Sequence, residues 1–590
     1  MPASPEILFV NMPPFESYFA DAAPHLGMLY VMTSLRRRGH SVGYLDCSRR
    51  GTRRSQILDA IRGAAPRMVC FSVDTDNLYN VGHMSKVLKK EFGEDLLILL
   101  GGPASQGQPE DIMNAGVADV LVIGEGEFSA CEVADALLKG EGRLEDVAGI
   151  CYRTPEGLKF TAPRDPIEDL DSVPIPDRDF LPKDHVYEAS IITGRGCPFR
   201  CTFCFEGRMG NKYRHRSPEN ILREIESLVE RYKRPFIVIN DDTFTSDIEH
   251  TKTVLRMIRE RFTPWKDLVM FCEVRVDMVS RHPELVEDLV SAGVNRIQLG
   301  VESADLGVLK DYKRLNVKPD LVEKVVRWFH EAGIASIYCG FIAGGPKETR
   351  ETLATTMRFA ERLLHEVAPG TFECNCSFLT PLAGTELYAR PQDYGLTLLD
   401  PGLKTSSNFN FPVVATENLS IEEINNFRGH FVDTVRDGVQ RIIGTLPREK
   451  MELHIRLKRE FNVSTMYSEQ MVVFPRMQYY WDMVGEHAYE AASELPDSEI
   501  LERFPTRVPA FTRMDSGRVT IRQGASDLTL SPIGTQVYGL CSGKLKGREI
   551  VDEMHTRFNG SAPPYAELQS DVISFVRSLD RNYALFLKDY

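Results

Sequence analysis

The chain has 590 residues, 43% hydrophobic and 26% charged, so a folded protein is expected, too long for one core and divided into roughly three or four domains. A formal net charge of −14 excludes a basic surface for nonspecific nucleic-acid binding. No apolar run reaches the ~18 residues of a spanning helix, no basic segment precedes Ile7-Leu8-Phe9-Val10 as in a secretory signal, and the twelve cysteines are scattered, so a cytoplasmic chain without a membrane partner is expected.

Five short apolar runs, at 7–10, 42–45, 69–73, 96–100 and 120–123, read as buried parallel strands. Helix-period segments lie between them, such as 28–38, which ends at Gly39. The alternation predicts an α/β, doubly wound, Rossmann-like domain over residues 1–150, with ligands at the carboxyl ends of its strands. Those ends carry Asn11-Met12-Pro13-Pro14, Asp46, Ser72-Val73-Asp74-Thr75, Gly101-Gly102-Pro103 and Gly124-Glu125-Gly126-Glu127. No Gly-x-Gly-x-x-Gly follows the first strand, which argues against a nicotinamide or flavin dinucleotide. Residues 151–185 read as a linker.

The next domain, over 186–400, opens with a predicted strand at 190–193 that delivers Gly194-Arg195-Gly196-Cys197-Pro198-Phe199-Arg200-Cys201-Thr202-Phe203-Cys204. Three thiolates leave one iron of a 4Fe–4S cluster without a protein ligand, a place where a small molecule binds metal and receives an electron. Zinc would need a fourth nearby Cys or His, and the nearest, His215, sits between Arg214 and Arg216. The motif resembles the signature of the radical S-adenosylmethionine enzymes. That resemblance implies that Cys197, Cys201 and Cys204 hold the cluster and that the methionine end of S-adenosylmethionine chelates the open iron. It further implies one-electron reduction, by a flavodoxin or ferredoxin, to a 5′-deoxyadenosyl radical.

A helix capped by Ser217 with Pro218 in its first turn follows, then strands at 236–239, 270–274, 297–300 and 337–341, which together predict a partial or complete parallel βα barrel of the TIM type. Polar residues stand at those strand ends. Asp241 and Asp242 suit an ammonium group, or cap the next helix. Arg275 suits the methionine carboxylate as a two-pronged donor, or pairs with Glu273 or Asp277. Glu302 and Ser303 fall where ribose or the amino-acid end would lie, and Gly344 belongs to a glycine-permissive turn beside the adenine. Cys374 and Cys376, two apart in a strand, share one face and read as core rather than as ligands of a second cluster.

These segments, with Thr380-Pro381-Leu382-Ala383-Gly384-Thr385 and the N-terminal phrases Asn11-x-Pro13-Pro14 and His25-Leu26-Gly27-Met28-Leu29-Tyr30, resemble the cobalamin-dependent class of radical enzymes over about residues 1 to 400. The resemblance implies that Phe203 packs near the cluster and that the Phe205 backbone reaches the adenine. It also implies cobalamin contacts from Ser72, Asp74, Gly101, Gly102, Pro103, Gly124, Glu125 and Glu127. The Asp-x-His-x-x-Gly string that places a histidine on cobalt is absent; His83 has Val81 where the Asp would be. The cofactor is therefore implied without a cobalt ligand to name.

Residues 401–510 read as helical, at 421–443, 449–461 and 478–495, with aromatics dense at Tyr479-Tyr480-Trp481. Over 511–590, a hairpin at 518–522 and 527–530 precedes helices at 532–541, 547–558 and 566–579, a winged helix-turn-helix. Ser531-Pro532-Ile533-Gly534, Leu540-Cys541-Ser542-Gly543 and Arg548-Glu549-Ile550-Val551 resemble PqqD-like domains, which implies a precursor-peptide leader added as a strand to the sheet edge. DNA binding fits poorly with the acidic chain, and a purely structural cap stays open. The sum of these expectations is C-methylation of an unactivated carbon in a ribosomally made peptide. Rearrangement, cyclisation or ring contraction of a peptide or small-molecule intermediate is the alternative, and a noncatalytic leader-binding scaffold stays open. No catalytic side chain is singled out.

Overall fold

A computed structural model describes residues 4–12, 25–47, 54–75, 77–182, 189–206, 212–399, 412–443, 445–470, 492–493, 495–507, 512–515, 518–523, 526–558, 563–582 and 584–588. The Pro13-Pro14 pair, the Tyr479–Trp481 aromatics and most of the helix expected at 478–495 fall outside them. The chain divides into two compact units, 1–363 with 372–432, and 364–371 with 433–590.

The first unit begins with β1 (Ile7–Asn11), β2 (Val42–Asp46), β3 (Met68–Ser72), β4 (Leu97–Gly101) and β5 (Val120–Val122), parallel and ordered β2-β1-β3-β4-β5. Their apolar runs are buried on both faces. Helices Leu26–Arg37 and Gly126–Ala134 cover one side, while Arg54–Ala64, Leu78–Phe92 and Pro109–Asn114 cover the other. The order reverses direction between β1 and β3, where a doubly wound sheet opens its ligand crevice. The sheet does not end at residue 150. β6 (Ile150–Thr154) and β7 (Gly157–Phe160) add antiparallel to β5, in the stretch read as linker. They span only four or five residues each on either side of the Pro155-Glu156-Gly157 turn and show no clean alternation, too short a signal to stand out.

A second sheet is parallel throughout. β8 (Ala189–Ile191) leads, after the two-residue ladder of β9 (Gly194–Arg195) with β10 (Arg214–His215), to β11 (Phe236–Ile239), β12 (Val269–Val274), β13 (Val294–Glu302), β14 (Ser336–Ala343) and β15 (Phe372–Phe378). Neighbours follow chain order, β8-β11-β12-β13-β14-β15, an open partial barrel of six strands. Side-chain caps fix the helix starts. Ser217 accepts from Asn220 N with Pro218 next, Asp247 caps Ile248–Arg261, and Thr349 and Thr352 form a reciprocal box on Arg350–Arg362. Cys374 and Cys376 are buried in β15 on one face, with Cys339 of β14 opposite Cys374. A short antiparallel pair, β16 (Leu396–Leu398) with β17 (Val414–Thr416), closes this unit before helix Ile421–Ile443.

In the second unit, helix Arg448–Phe461 carries His454, whose ring is buried between Gly370 O (3.0 Å) and Thr465 Oγ1 (2.9 Å). The C-terminal core starts earlier than residue 511. β18 (Phe504–Arg507) pairs antiparallel with the last strand, and Ala492, Leu495, Ile500 and Leu501 pack into the same apolar cluster. β19 (Thr512–Asp515), β20 (Arg518–Gln523) and β21 (Ser526–Thr529) form a three-stranded antiparallel sheet, and helices Pro532–Leu540, Gly547–Arg557 and Tyr565–Arg581 precede β22 (Leu585–Lys588). Leu568, Val572, Val576 and Leu579 are buried on one face of the last helix, and Phe575 is half-buried.

Candidate active site

A cavity of about 470 Å³ opens where the carboxyl ends of β1, β3, β4 and β5 face the loop after β8. One wall holds His25, Ser72, Gly101, Gly102, Pro103, Gly124, Glu125 and Glu127; the facing wall holds Arg195, Gly196, Glu206, Asn240 and Asp242. The floor is made of glycine for a steric reason. Gly102 has φ +104°, and a Cβ there would stand 2.7 Å from Val73 O. Gly124 has φ +96°, and a Cβ there would reach into open space, so the cradle admits a flat group close to the backbone. That surface fits the corrin ring. Among the proposed contacts, Asp74 is turned away into a reciprocal pair with Asn77 (Asn77 N to Asp74 Oδ1 2.8 Å), and its Oδ2 lies 3.9 Å from His25 Nε2.

Glu125 and Glu127, on the same wall of the cavity, also pair with arginines. Arg195 reaches both, and Arg214 donates to the second oxygen of Glu125 at 3.1 Å. Burial works against the Glu125 charge, but the Arg214 hydrogen bond and the Arg195 charge hold its carboxyl below the ordinary range.

Cys197, Cys201 and Cys204 follow β9, and all three are free thiols; Cys201 is buried and the others half-buried. Among the described residues no three Cys, His, Asp or Glu side chains gather on a single metal point. A cubane makes no such demand, because each thiolate binds a different iron, and three soft donors suit iron–sulfur chemistry. Burial raises the Cys197 thiol, so metal must displace its proton. Sequence reasoning missed Arg314. Its Nη1 lies 3.6 Å from Cys201 Sγ and its Nη2 donates to Gly300 O at 2.6 Å, an in-place cation for a thiolate-bound cluster. Nothing in Lys313-Arg314-Leu315 marks it, because the contact crosses 113 positions.

Phe203 stands edge-on to Tyr312 with ring centroids 5.1 Å apart, and the Phe205 ring packs where a Cβ on Gly384 would be 3.2 Å away. Glu302 has φ +62° just past a bulge in β13, with Oε1 3.5 Å from Arg314 and Oε2 buried without a partner. An orphaned acceptor at a strand's carboxyl end fits a hydroxyl or ammonium donor of S-adenosylmethionine. Asp242 faces the cavity and is exposed to it; partial desolvation there, then Glu206 and Asp241, push its carboxyl up to about 7. Glu273 on β12 accepts from Gln298 (2.9 Å), and burial, with Asp242 and Glu302 nearby, pushes it also to about 7.

Three expected contacts belong to the frame instead. Asp241 accepts from Thr193 N at 2.6 Å and from the Thr193 hydroxyl, tying β11 to β8, and burial raises it to about 6. Ser303 exchanges a hydrogen bond with Thr356 (3.1 Å) and accepts from Asp305 N. Arg275 donates Nε to Asp277 at 2.9 Å and lies over the Phe199 ring at 3.4 Å, the ion-pair option read from its neighbours. All three are more than nine-tenths buried; the Arg275 partner is a near neighbour in the chain, whereas Thr193 and Thr356 come from about 50 positions away.

Gly344, at φ +87°, donates its N–H to Glu348 Oε2 (2.8 Å), as does Gly345 (3.0 Å). Burial lifts the Glu348 carboxyl from 4.5 to about 7 against those bonds. The folded state therefore holds this proton more tightly than the unfolded chain. The contribution is whole below 4.5 and declines as pH rises to about 7. Glu348→Gln keeps the acceptor, so denaturant unfolding should show the wild type losing roughly 3 kcal/mol relative to the variant across that range, at ~1.4 kcal/mol per pKa unit. Parallel stability curves for the two proteins would contradict the buried carboxyl.

Residues 191–360 match the family model of the Radical SAM superfamily, and residues 18–134 match that of the B12 binding domain. It is a radical S-adenosylmethionine enzyme. Its cofactors are a 4Fe–4S cluster, S-adenosylmethionine and cobalamin. The radical enzyme is 29% identical over 395 residues to the uncharacterized methyltransferase PH0819 of Pyrococcus horikoshii, covering 65% of this chain and 82% of the relative. It is 26% identical over 398 residues to the anaerobic magnesium-protoporphyrin IX monomethyl ester cyclase of Rubrivivax gelatinosus, covering 65% and 69%. The solved structure of the cobalamin-dependent S-adenosylmethionine radical enzyme OxsB, with aqua-cobalamin and S-adenosylmethionine bound, is similar in fold (TM-score 0.60, 17% identity, 98% of this chain and 84% of that one). No helix among the described residues is long and apolar enough to cross a membrane.

Proposed function

We propose that the radical enzyme adds a methyl group to an unactivated carbon of a ribosomally made precursor peptide. The carrying observation is the single chamber walled on one side by the corrin cradle, Gly101–Pro103 and Gly124–Glu127, and on the other by Arg195, Gly196, Asn240 and Asp242 of the cysteine-loop domain. Bound there together, the cofactors supply a methyl group and a hydrogen-abstracting radical, which a carbon without a usable lone pair requires. The residues of this chain supply placement and exclusion of water. Cys197, Cys201 and Cys204 hold the cluster, Glu302 and Asp242 offer acceptors to the sulfonium cofactor, and the glycine floor receives the corrin. The methyltransferase name of the Pyrococcus relative supports this chemistry.

The peptide part rests on the C-terminal module. Its sheet β19-β20-β21 leaves β19 and β21 as edges, and a strand-adding leader needs an edge. We read this module as PqqD-like, a winged helix-turn-helix that begins near residue 492. A small electron-transfer protein such as a flavodoxin or ferredoxin would serve as reductant. The cyclase relative favours a second reading, in which the same cofactors drive cyclisation or rearrangement without methyl gain. Anaerobic turnover of a precursor peptide should give a product heavier by one methylene, with 5′-deoxyadenosine and S-adenosylhomocysteine. Deoxyadenosine with a product of unchanged or reduced mass decides for the second reading. A core peptide processed equally well with and without its leader removes the leader-binding role.

A further inference from the structure

The two strands that frame the cysteine loop both send an arginine into the corrin cradle. Arg195 of β9 and Arg214 of β10 are register partners. Arg195 Nη1 lies 3.1 Å from Glu125 Oε1, its Nη2 donates to Glu127 Oε1, and its guanidinium sits 5.2 Å from the Tyr30 ring centroid. Glu125 is held from two further sides, by Arg214 Nη1 at 3.1 Å and by Ile167 N at 2.6 Å. Glu127 is 4% exposed, and Gly194 beside Arg195 admits no side chain, since a Cβ would meet the Tyr213 hydroxyl at 2.7 Å and its ring at 2.8 Å. Cys197 is two residues away. A planar fork clamped by two carboxylates fixes orientation as well as distance, which a single point charge does not.

We propose that Arg195 is the positioning residue that sets the separation and orientation of the iron–sulfur cluster relative to cobalamin, with Glu125 and Glu127 as its anchor on the cobalamin side. The carboxylates that flank the corrin floor therefore register one cofactor domain against the other. The claim depends on the two cofactors and not on methyl transfer, so it stands or falls without a peptide substrate.

The experiment uses the full chain loaded with both cofactors and measures the magnetic coupling between the reduced cluster and cob(II)alamin by electron paramagnetic resonance, alongside iron and cobalt content. In the wild type the coupling should give a resolved splitting. Arg195→Ala should keep iron and cobalt but lose that splitting to a broad distribution, Arg195→Lys should restore it in part, and Glu127→Gln should reproduce the loss. An unchanged splitting in cofactor-replete Arg195→Ala overturns the proposal. If that variant fails to retain its cofactors, Glu127→Gln decides, and a spectrum identical to wild type overturns it equally.

Discussion

Cys201→Ala is expected to abolish reductive cleavage of S-adenosylmethionine, a fall of about 10⁴-fold or more given that enzymatic enhancements begin near ~10⁶. Two thiolates cannot hold a cubane whose fourth iron must stay open to the substrate. Among the three cysteines this one is the most enclosed, at 7% exposed, and its sulfur faces Arg314 at 3.6 Å. Removing it deletes a ligand and leaves a buried guanidinium short of one partner, although Gly300 O and Glu302 still hold it. The folded chain should survive while the iron is lost. Iron content, the cluster's visible absorption and deoxyadenosine formation, measured together under anoxia, read the outcome. A variant that keeps its iron and still forms deoxyadenosine would sink the assignment of the cysteine loop.

The parts of the site legible in the sequence are those encoded by contiguous residues. The cysteine spacing, the glycine turns after β4 and β5 and the cap at Ser217 each need fewer than a dozen positions to be read. The apolar runs of β1 to β5 and β11 to β14 were legible for the same reason, because strands buried on both faces carry an unbroken signal. What escaped is long-range. Arg314, three residues past the helix Leu306–Asp311 that follows β13, meets Cys201 across 113 positions. Glu125 and Glu127, sitting in a turn that matched corrin-binding phrases, meet Arg195 and Arg214 across about 70 to 90 positions. Asp241 shows the converse. Two adjacent carboxylates suggested one shared ligand, but successive residues leaving a strand point to opposite sides, so Asp241 turned to Thr193 while Asp242 faced the cavity. The strands β6, β7, β18 and β22 have only four or five residues each, too short a pattern to stand out, and β18 and β22 are defined by partners far along the chain.

Glu224→Ala is expected to cost about 3–5 kcal/mol in unfolding free energy, the range for removing one partner of a buried ion cluster. The Glu224 side chain is fully buried between Arg178 and Arg216, which are 3% and 4% exposed. Arg216 donates to Glu224 Oε2, while Arg178 lies 2.7 Å from Oε1 in ion-pair contact without hydrogen-bond alignment. Both guanidiniums also hold carbonyls that shape the entry to the cysteine loop: Arg178 donates to Ser190 O (2.7 Å) and Arg216 to Ile192 O (2.8 Å). Losing the carboxylate strands two desolvated cations, so Glu224→Gln should fall between wild type and alanine in urea unfolding. Replacing the trio together, as Arg178→Met, Glu224→Leu and Arg216→Met, removes the stranded charges and should recover part of the stability, the Ser190 and Ile192 carbonyls left without these donors limiting the gain. Deoxyadenosine formation then separates two roles. If the apolar trio is stable and active, the charges only fill the core; if it is stable but inactive, the two arginines are needed to hold the strand end that presents Cys197, and stability alone was never their reason to be there.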